Sequence, residues 1–427
     1  MPFGGVDCVF QQSSQPTRTQ VMAQSTTVFH QLLRLVPNSL FDNLVHTHKA
    51  DKRRRRLFTR DHFQLLLFAQ WVGLKSLREI VHGVAGFIPV RRSTLDDANA
   101  GIPWTFYRDL FSGLRHLYRA KIGGNSAFPE VGRMMILDST LIPLCLALFP
   151  WAHYRQRKGA LKLHTLLDED TLVPDAIIVT EGRVHDLTAA KTLPVLPGVT
   201  LIFDRGYFDG AYWFRLHRNG AFFVTRMKGR TGFVCGDSHP VEPGSGVRRD
   251  WTGYLEGKPG KAYPEPLRLI RFVDPETKKD MEFLTNRFDL PAQTIADLYK
   301  RRWQVELFFK WIKQHLKIKT FLGTDENTVL TQIWVAMIAY LLLRIVAKGD
   351  LTTHLLKAFI VANALRKIPL SQAWKRFHKT GNKDTITTEI SARSGTGRPT
   401  SLFLRKSCKC KYIKKIGHFT SCSLSNT

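Results

Sequence analysis

The chain has 427 residues, with 63 lysines and arginines against 35 aspartates and glutamates, which gives a formal net charge of +28 and a pI near 10.1. Hydrophobic residues make up 44% of the sequence, enough for a sizeable core, so a largely disordered or fibrous chain is excluded. The excess of cations favours a polyanionic partner, with nucleic acid first, although charge alone would equally suit a membrane-surface or ribosomal protein.

The first segment, residues 1–24, is polar and rich in Gln and Ser, which predicts a loose N-terminal arm. It lacks a basic stretch followed by an apolar run, the pattern of a secretory signal. The six cysteines, at positions 8, 145, 235, 408, 410 and 422, show no disulfide-framework spacing. Together these features predict a reducing, cytoplasmic setting.

Helical periodicity covers residues 25–125, in the runs VFHQLLRLV, HFQLLLFAQWVGLKSLREIV and TFYRDLFSGLRHLY, and predicts an all-α N-terminal domain. Ser93 or Thr94, ahead of Asp97, predicts a helix start. The second run is preceded by a basic cluster, which could be a solvated loop but which we interpret, together with the motifs below, as contacting DNA. Its members are Lys52, Arg53, Arg54, Arg55 and Arg56.

Residues 131–228 alternate between short strands and helices and predict a mixed sheet that opens with antiparallel strands. Two strand-like runs, RMMILDST and TLIFDRGY, end with Asp138 and Asp204, which we expect on neighbouring strands. A carboxylate at the end of a buried strand needs a metal ion or a cation nearby, although a turn or cap role would explain either acid alone equally well. Capping and solvent exposure are expected to account for the other acids of this region, Asp168, Glu169, Asp170 and Asp186, and for His185.

An inserted β subdomain is predicted over residues 229–285, a segment rich in Gly, Pro and charge that contains the hairpin pattern LRLIRFV, DPETKK, DMEFLTN. Trp251 in this segment is interpreted as a core or rim residue, with base stacking as the alternative.

A polar constellation follows in YKRRWQVELFFKWIK, where Tyr299, Arg302, Glu306 and Lys313 fall at offsets of 0, 3, 7 and 14. On one continuous helix these side chains would lie within roughly a 60° arc. An apolar stripe beside them would anchor the helix, formed by Val305, Phe309, Ile312 and Leu316. One explanation of the pattern is a surface helix with ion pairs along one face. The other is a functional site, in which the carboxylate binds a metal ion while the two cations and the phenol bind a phosphate backbone.

The most apolar stretch, residues 333–343, holds 11 uncharged residues, whereas a membrane helix needs about 20. It therefore predicts a core helix and no membrane span, and residues 286–350 are expected to complete the sheet domain. A helical C-terminal segment is predicted over 351–389. Residues 390–427, with eight Lys or Arg and no acid, predict a basic disordered tail that clings to nucleic acid.

These motifs resemble the DDE transposases of the IS4 group, bacterial insertion-sequence enzymes with a ribonuclease H-like core. The spacing Tyr299-x2-Arg302-x3-Glu306-x6-Lys313 is similar to the Y-R-E-K signature of that group, here with Trp303 after the arginine. Asp204 lies in DRGY, which resembles the D-x-G-Y element, and Asp138 in LDST resembles the first acid. The resemblance covers roughly residues 25–350.

The resemblance implies that Asp138, Asp204 and Glu306 are the catalytic metal ligands, and that two Mg²⁺ ions, or Mn²⁺ in their place, support both cutting and joining. It implies that Tyr299, Arg302, Trp303 and Lys313 contact DNA, as does Arg205 within DRGY.

The implied partners are double-stranded DNA, namely the terminal inverted repeats and the target, a homodimer in the synaptic complex, and no membrane. A bacterial, nucleoid-associated location is expected. Two alternatives stay open, a structure-specific nuclease of the same fold that cuts without joining and an inactive DNA-binding derivative.

Overall fold

Helices fill the first part of the chain in the computed structural model, which describes residues 27–52, 54–84, 88–123, 126–155, 158–229, 231–315 and 321–347. Six of them precede the first strand: α1 (Val28–Leu33), α2 (Asn38–Thr47), α3 (Thr59–Val72), α4 (Leu77–Val84), α5 (Arg92–Gly101) and α6 (Trp104–Ile122). The predictions for the arm at 1–24, for Arg53, for Leu316 and for segments 351–389 and 390–427 lie outside the described residues.

Local signals account for some of the helix boundaries. α3 is buried on most of its surface and ends at Gly73, whose φ of 85° is a left-handed conformation that suits glycine. The predicted helix start at Ser93 or Thr94 is wrong. α5 begins at Arg92, because the chain leaves its extended conformation at Arg91, and no side chain caps that end.

A buried histidine links three of these helices. His62 on α3 accepts a hydrogen bond from the Tyr107 hydroxyl at 2.6 Å through Nδ1 and donates one from Nε2 to Asn99 Oδ1 at 2.7 Å. An amide oxygen can only accept, so Nε2 carries a hydrogen, and in the neutral ring Nδ1 then accepts from the Tyr107 hydroxyl. Burial lowers the pKa of His62 to about 4, the Asn99 bond opposes the shift, and the charge of Arg54 adds to it.

This histidine predicts an acid-sensitive helical region. In the unfolded chain His62 binds a proton near its ordinary pKa of 6.5, whereas in the fold it does so only near 4. Its contribution to the free energy of unfolding is therefore complete above pH 6.5 and is lost as pH falls towards 4, by about 3 kcal/mol in all. Urea unfolding at pH 7 and pH 4.5 measures the loss. The His62→Gln variant lacks this group, so its free energy of unfolding should fall by about 3 kcal/mol less over the same interval. An equal fall in both proteins would contradict the assignment.

In the described part of the chain ten strands form one sheet: β1 (Met134–Leu144), β2 (His153–Arg155), β3 (Lys158–Asp168), β4 (Pro174–Glu181), β5 (Thr200–Phe203), β6 (Phe222–Arg226), β7 (Phe233–Ser238), β8 (Val247–Leu255), β9 (Leu267–Val273) and β10 (Asp280–Thr285). Their order is β2-β3-β1-β5-β6-β10-β9-β8-β7, and β4 pairs with β3 on the same edge as β2, opposite β1. Only the β1–β5 and β5–β6 pairs in this sheet are parallel. The predicted mixed sheet opened by antiparallel strands is confirmed.

The predicted inserted segment continues this sheet. β9 and β10 form the expected hairpin, and β10 pairs antiparallel with β6, so that β7 to β10 extend the core sheet beyond β6. A bidentate ion pair within this extension joins β8 to β9, with Asp250 accepting from Arg268 at 2.6 and 2.8 Å in a buried setting. Trp251 packs half-buried against the core, as its rim interpretation predicts.

The remaining helices cover the sheet: α7 (Asp186–Ala190), α8 (Gly210–Arg218), α9 (Gly257–Ala262), α10 (Ala292–Lys300), α11 (Trp303–His315) and α12 (Glu326–Ala347). The aromatic residues of α8 fill one face, where Trp213 stacks on Phe223 with ring centroids 5.2 Å apart. On α11 the predicted apolar stripe is buried at Val305, Phe309 and Ile312.

The long helix α12 joins the N-terminal helices to the sheet. By length and composition its residues 326–346 could cross a membrane, yet 89% of their most apolar window is buried inside the protein. The sequence underestimated its length but correctly predicted a core helix. Asn327 accepts from the Trp104 backbone N–H and donates to the carbonyls of Asn99 and Ile102, while Trp334 packs on Phe111. The described helices and sheet therefore belong to one compact unit.

Candidate active site

The first two acids lie side by side at the parallel centre of the sheet. The pairing of β1 with β5 ends where Leu137 lies opposite Phe203. Asp138 and Asp204 are therefore the next residues along two neighbouring backbone segments, which lie roughly 4.8 Å apart. The prediction that both acids end their strands holds for Asp204 only. β1 continues through Asp138 to Leu144, because β3 still pairs with it after β5 has ended.

Local structure fixes the Asp204 carboxylate. Its Oδ1 accepts the Gly206 backbone N–H at 2.8 Å across a 3₁₀ turn, and a Cβ at position 206 would lie only 2.8 Å from that oxygen. A side chain at position 206 would therefore displace the Asp204 carboxylate from this position. The buried Tyr207 follows, and its hydroxyl has no hydrogen-bond partner in the structure. Burial raises the pKa of Tyr207, and Asp138, Asp186 and Asp204 raise it further, so that hydroxyl lies among carboxylates.

The third acid comes from a helix pair, and the prediction of one continuous helix from Tyr299 to Lys313 is wrong. α10 ends at Lys300 and α11 begins at Trp303. Between them the backbone hydrogen bonds join residues three apart, as in a 3₁₀ turn: Arg302 N–H donates to Tyr299 O at 3.1 Å, and Val305 N–H donates to Arg302 O at 3.2 Å. Glu306 lies in the first turn of α11, where the helix dipole favours a carboxylate.

Arg302 joins the first and third acids. Its Nη1 lies 3.2 Å from Asp138 Oδ2, and its Nη2 forms a close ion pair with Glu306 Oε1. Burial raises the pKa of Asp138 to about 6. The Ser139 N–H and Arg302 oppose that shift, and the charges of Asp204 and Glu306 add to it. Three acids separated by up to 168 residues in sequence (306 − 138) therefore share one electrostatic environment.

The donor set fits a hard divalent cation, since carboxylate oxygens at strand and helix ends are ligands that Mg²⁺ and Mn²⁺ accept. In the described part of the chain no three His, Cys, Asp or Glu side chains are already arranged as a metal cage. The Arg302 guanidinium instead supplies the positive charge between Asp138 and Glu306. The residues fit a metal ion in chemistry, and Arg302 must release at least one carboxylate to admit it.

The residues expected to contact DNA lie on α10 and α11 and at the junction between them, directly after β5, or in the loop between α2 and α3. Tyr299 packs on Phe283 with centroids 4.9 Å apart, and Arg302 lies 5.9 Å from its ring. Trp303 is 57% exposed at the start of α11, Arg205 is exposed beside Asp204, and Lys313 is half-buried on α11.

In the N-terminal basic cluster Lys52, Arg55 and Arg56 are exposed, whereas Arg54 turns inward. Its Nε donates to Ala50 O at 3.1 Å, and its guanidinium lies against Gly101. Burial lowers the pKa of Arg54, while Tyr107, Asp51 and Asp97 oppose that shift.

Sequence reasoning missed two polar residues near the acids. Arg226 ends β6 and is an electrostatic neighbour of Tyr299, whose pKa is raised by burial and by Asp204 and lowered by Arg302 and Arg226. Asp186 was interpreted as a cap, but its Oδ1 accepts from Ser139 Oγ at 2.6 Å, and His185 Nδ1 caps α7. For Arg226 the signal in the sequence was a charged residue at the end of a strand. For Asp186 it was an acid directly after the capping residue.

For the β3–β4 acids the expectation of solvent exposure is wrong in two cases, whereas Asp168 does cap the turn by accepting the Thr171 N–H at 3.1 Å. Asp168 and Glu169 are buried, at 5% and 2% exposure. Asp168 accepts from Arg133 at 3.1 Å, and Glu169 forms a close ion pair with Arg301. A buried carboxylate requires such a partner. For Glu169 the partner lies 132 residues away in the sequence, so the local turn pattern could not predict it.

The sheet order, and the two acids that lie where the parallel pairing of β1 and β5 ends, are consistent with a nucleic-acid-processing enzyme of the ribonuclease H-like class. Residues 130–342 match the transposase DDE domain, and residues 24–86 match a family described as a domain of unknown function. The chain is 36% identical to a protein named transposase y4zB of Sinorhizobium fredii, over 60% of this chain and 71% of that protein.

A second relative is named as a transposase for insertion sequence element IS5377 of Geobacillus stearothermophilus, at 30% identity over 66% of this chain and 74% of the relative. A third is named for element IS4SA of Synechocystis, at 27% identity over 49% and 59%. The chain belongs to the insertion-sequence transposases with a DDE catalytic domain. It is thus an enzyme with DNA as substrate and a dependence on divalent metal ions.

Proposed function

We propose that this transposase is of the IS4 kind and that Asp138, Asp204 and Glu306 are its catalytic acids. The observation that carries the proposal is Arg302, which binds Asp138 and Glu306 together while Asp204 lies beside Asp138 in the sheet. These are the residues that the LDST, DRGY and Y-R-E-K patterns single out. The same acids would serve both hydrolytic nicking at the element ends and transfer of the freed 3′ hydroxyl to target DNA.

Two Mg²⁺ ions held by these acids, or Mn²⁺ in their place, would supply charge neutralisation and activation of the attacking oxygen. The protein contributes positioning. Asp204 is held by the Gly206 N–H and Asp138 by the Ser139 N–H at 2.7 Å, so both carboxylates are oriented before substrate arrives. Arg302, once it releases a carboxylate, lies within reach of a phosphate at the same point, where a guanidinium forms two parallel hydrogen bonds.

The remaining DNA contacts follow from charge and exposure. We assign Tyr299, Lys313, Arg205 and Trp303 to the DNA near the cut, with Trp303 available for stacking because of its exposed ring. Lys52, Arg55 and Arg56 would bind the terminal inverted repeats from the loop between α2 and α3, and Arg54 would support that loop from inside. Two ends must be processed together, so a synaptic homodimer associated with the bacterial nucleoid is part of the proposal, as is a hairpin intermediate at each end.

Pre-cut element ends separate this function from that of a nuclease. With Mg²⁺ and a target duplex, we expect joined products whose formation disappears in Asp204→Asn, since strand transfer uses the same acids as cleavage. Gel analysis of labelled ends measures both reactions. Intact cleavage without any joined product would favour a structure-specific nuclease. Binding of ends with neither reaction in the unmodified protein would favour an inactive DNA-binding derivative.

A further inference from the structure

The turn between β3 and β4 carries a carboxylate in an unusually fixed position. The Glu169 backbone N–H donates to Met134 O at 3.1 Å, and the next residues are clamped from α12. Arg344 donates to Thr171 O at 3.0 and 3.2 Å, and Tyr340 donates to Leu172 O at 2.7 Å. The Glu169 side chain, 1% exposed, therefore projects from a rigid base.

The partner of Glu169 is the residue next to Arg302. Both Nε and Nη2 of Arg301 contact Glu169 Oε1, while the neighbouring Arg302 contacts Asp138 and Glu306. Consecutive arginines at the α10–α11 junction are thus held by acids from three different elements. On β1, Asp138 lies four residues beyond Met134, roughly 13 Å along the strand, so the two ion pairs fix the junction at separated points.

This double anchorage explains why the junction is not a continuous helix. The local sequence, KRRWQVE, contains no Gly or Pro that would interrupt one. A regular helix would place the side chains of Arg301 and Arg302 about 100° apart around its axis. The tighter turn instead lets each guanidinium reach its own carboxylate, and it sets where α11, and with it Glu306, begins.

We propose that Glu169 is a positioning residue of the transposase, which acts through Arg301 to hold Arg302 and Glu306 in register with Asp138. The inference rests on the proposed active site. Glu169 touches neither the catalytic acids nor, in this proposal, the DNA. Loss of its charge would leave Arg301 without its buried partner and would allow the junction to relax towards a regular helix.

Single-turnover cleavage of labelled element ends tests the proposal, with end binding in a chelator and thermal unfolding measured in parallel. Glu169→Gln keeps the side-chain size and removes the charge, and Arg301→Gln removes the other partner at a residue that is 34% exposed. We expect each to slow cleavage by about 10- to 100-fold, the scale of a misplacement of roughly 1 Å, with end affinity unchanged within about twofold. The double variant should be no slower than either single one, because both remove the same contact.

Asp168→Asn is the matched control. Asp168 is buried in the same turn and ion-paired to Arg133, but it has no contact with the α10–α11 junction. It should lower the melting temperature about as much as Glu169→Gln while cleavage stays within about twofold of the unmodified rate.

Equal losses of cleavage in Asp168→Asn and Glu169→Gln, additive effects in the double variant, or full activity in Glu169→Gln and Arg301→Gln would overturn the proposal. Failure of the site itself would look different, because Asp204→Asn and Glu306→Gln would then retain cleavage. Should Glu169→Gln not fold, Arg301→Gln and its comparison with Asp168→Asn decide the matter.

Discussion

Replacing Asp204 with asparagine is expected to lower the rate of DNA end cleavage by on the order of 10³-fold or more while leaving the affinity for ends nearly unchanged. Asparagine keeps the shape and can still accept the Gly206 N–H, so the turn is preserved. What disappears is the negative charge beside Asp138, and with it the ability of the acids to hold divalent cations jointly. Cleavage of labelled ends and gel-shift binding in a chelator measure the two effects.

Asp209→Asn provides the control for that experiment. Asp209 lies five residues further on and caps α8 by accepting the Tyr212 N–H at 2.6 Å, without any contact with the other acids. Asparagine is itself a good N-cap, so we expect cleavage within about twofold and a change in stability below about 1 kcal/mol. Comparable cleavage losses in both variants, or an active Asp204→Asn protein, would contradict the assignment of Asp204.

The second large effect is expected from Arg302→Gln, measured without DNA. In a chelator the free energy of unfolding of the variant should be lower by about 2 to 3 kcal/mol, because Asp138 and Glu306 lose the cation that joins them in a largely buried site. Added Mg²⁺ or Mn²⁺ should then stabilise the variant more than the unmodified protein. A metal ion need no longer displace the guanidinium, and we expect about tenfold tighter binding, or about 1.4 kcal/mol. Thermal unfolding with and without metal, and calorimetry, give both values.

Lys300→Gln is the matched control for Arg302→Gln, because it removes a cation two residues away. Lys300 is paired with Asp297 on the exposed side of α10 and is not in contact with the catalytic acids. Its metal response should equal that of the unmodified protein. If Arg302→Gln binds divalent cations no better, then Arg302 does not compete for the site. If the variant is as stable as the unmodified protein in chelator, the two ion pairs contribute nothing to the fold.

Much of the fold could be predicted from local pattern. Strands with the runs MMILDST, LKLHTLL and TLIFDRGY bury nearly continuous apolar faces, and the hairpin of β9 and β10 has clear turn residues between two apolar runs. The strands β2, β7 and β8 were not predicted individually. They are held by pairing with neighbouring strands, which the local sequence does not encode.

The nature of the site was also readable, since acids after apolar runs and the spacing from Tyr299 to Lys313 indicate metal and phosphate chemistry by residue type and position along the chain. Its internal arrangement was not. The segment KRRW has helical propensity throughout, yet it divides into two helices where its arginines pair with carboxylates from β1, from the β3–β4 turn and from α11 itself.

The sequence alone therefore determined the residue types of the proposed site, the acids and cations assigned to it, and the core strands that carry them, because charge, apolar periodicity and turn chemistry are local properties. Only the tertiary structure decided which cation neutralises which acid. It paired Arg302 with Asp138 and Glu306, and Arg301 with Glu169. A buried charge must find its partner within a few ångströms, and that partner comes from wherever the folded chain passes.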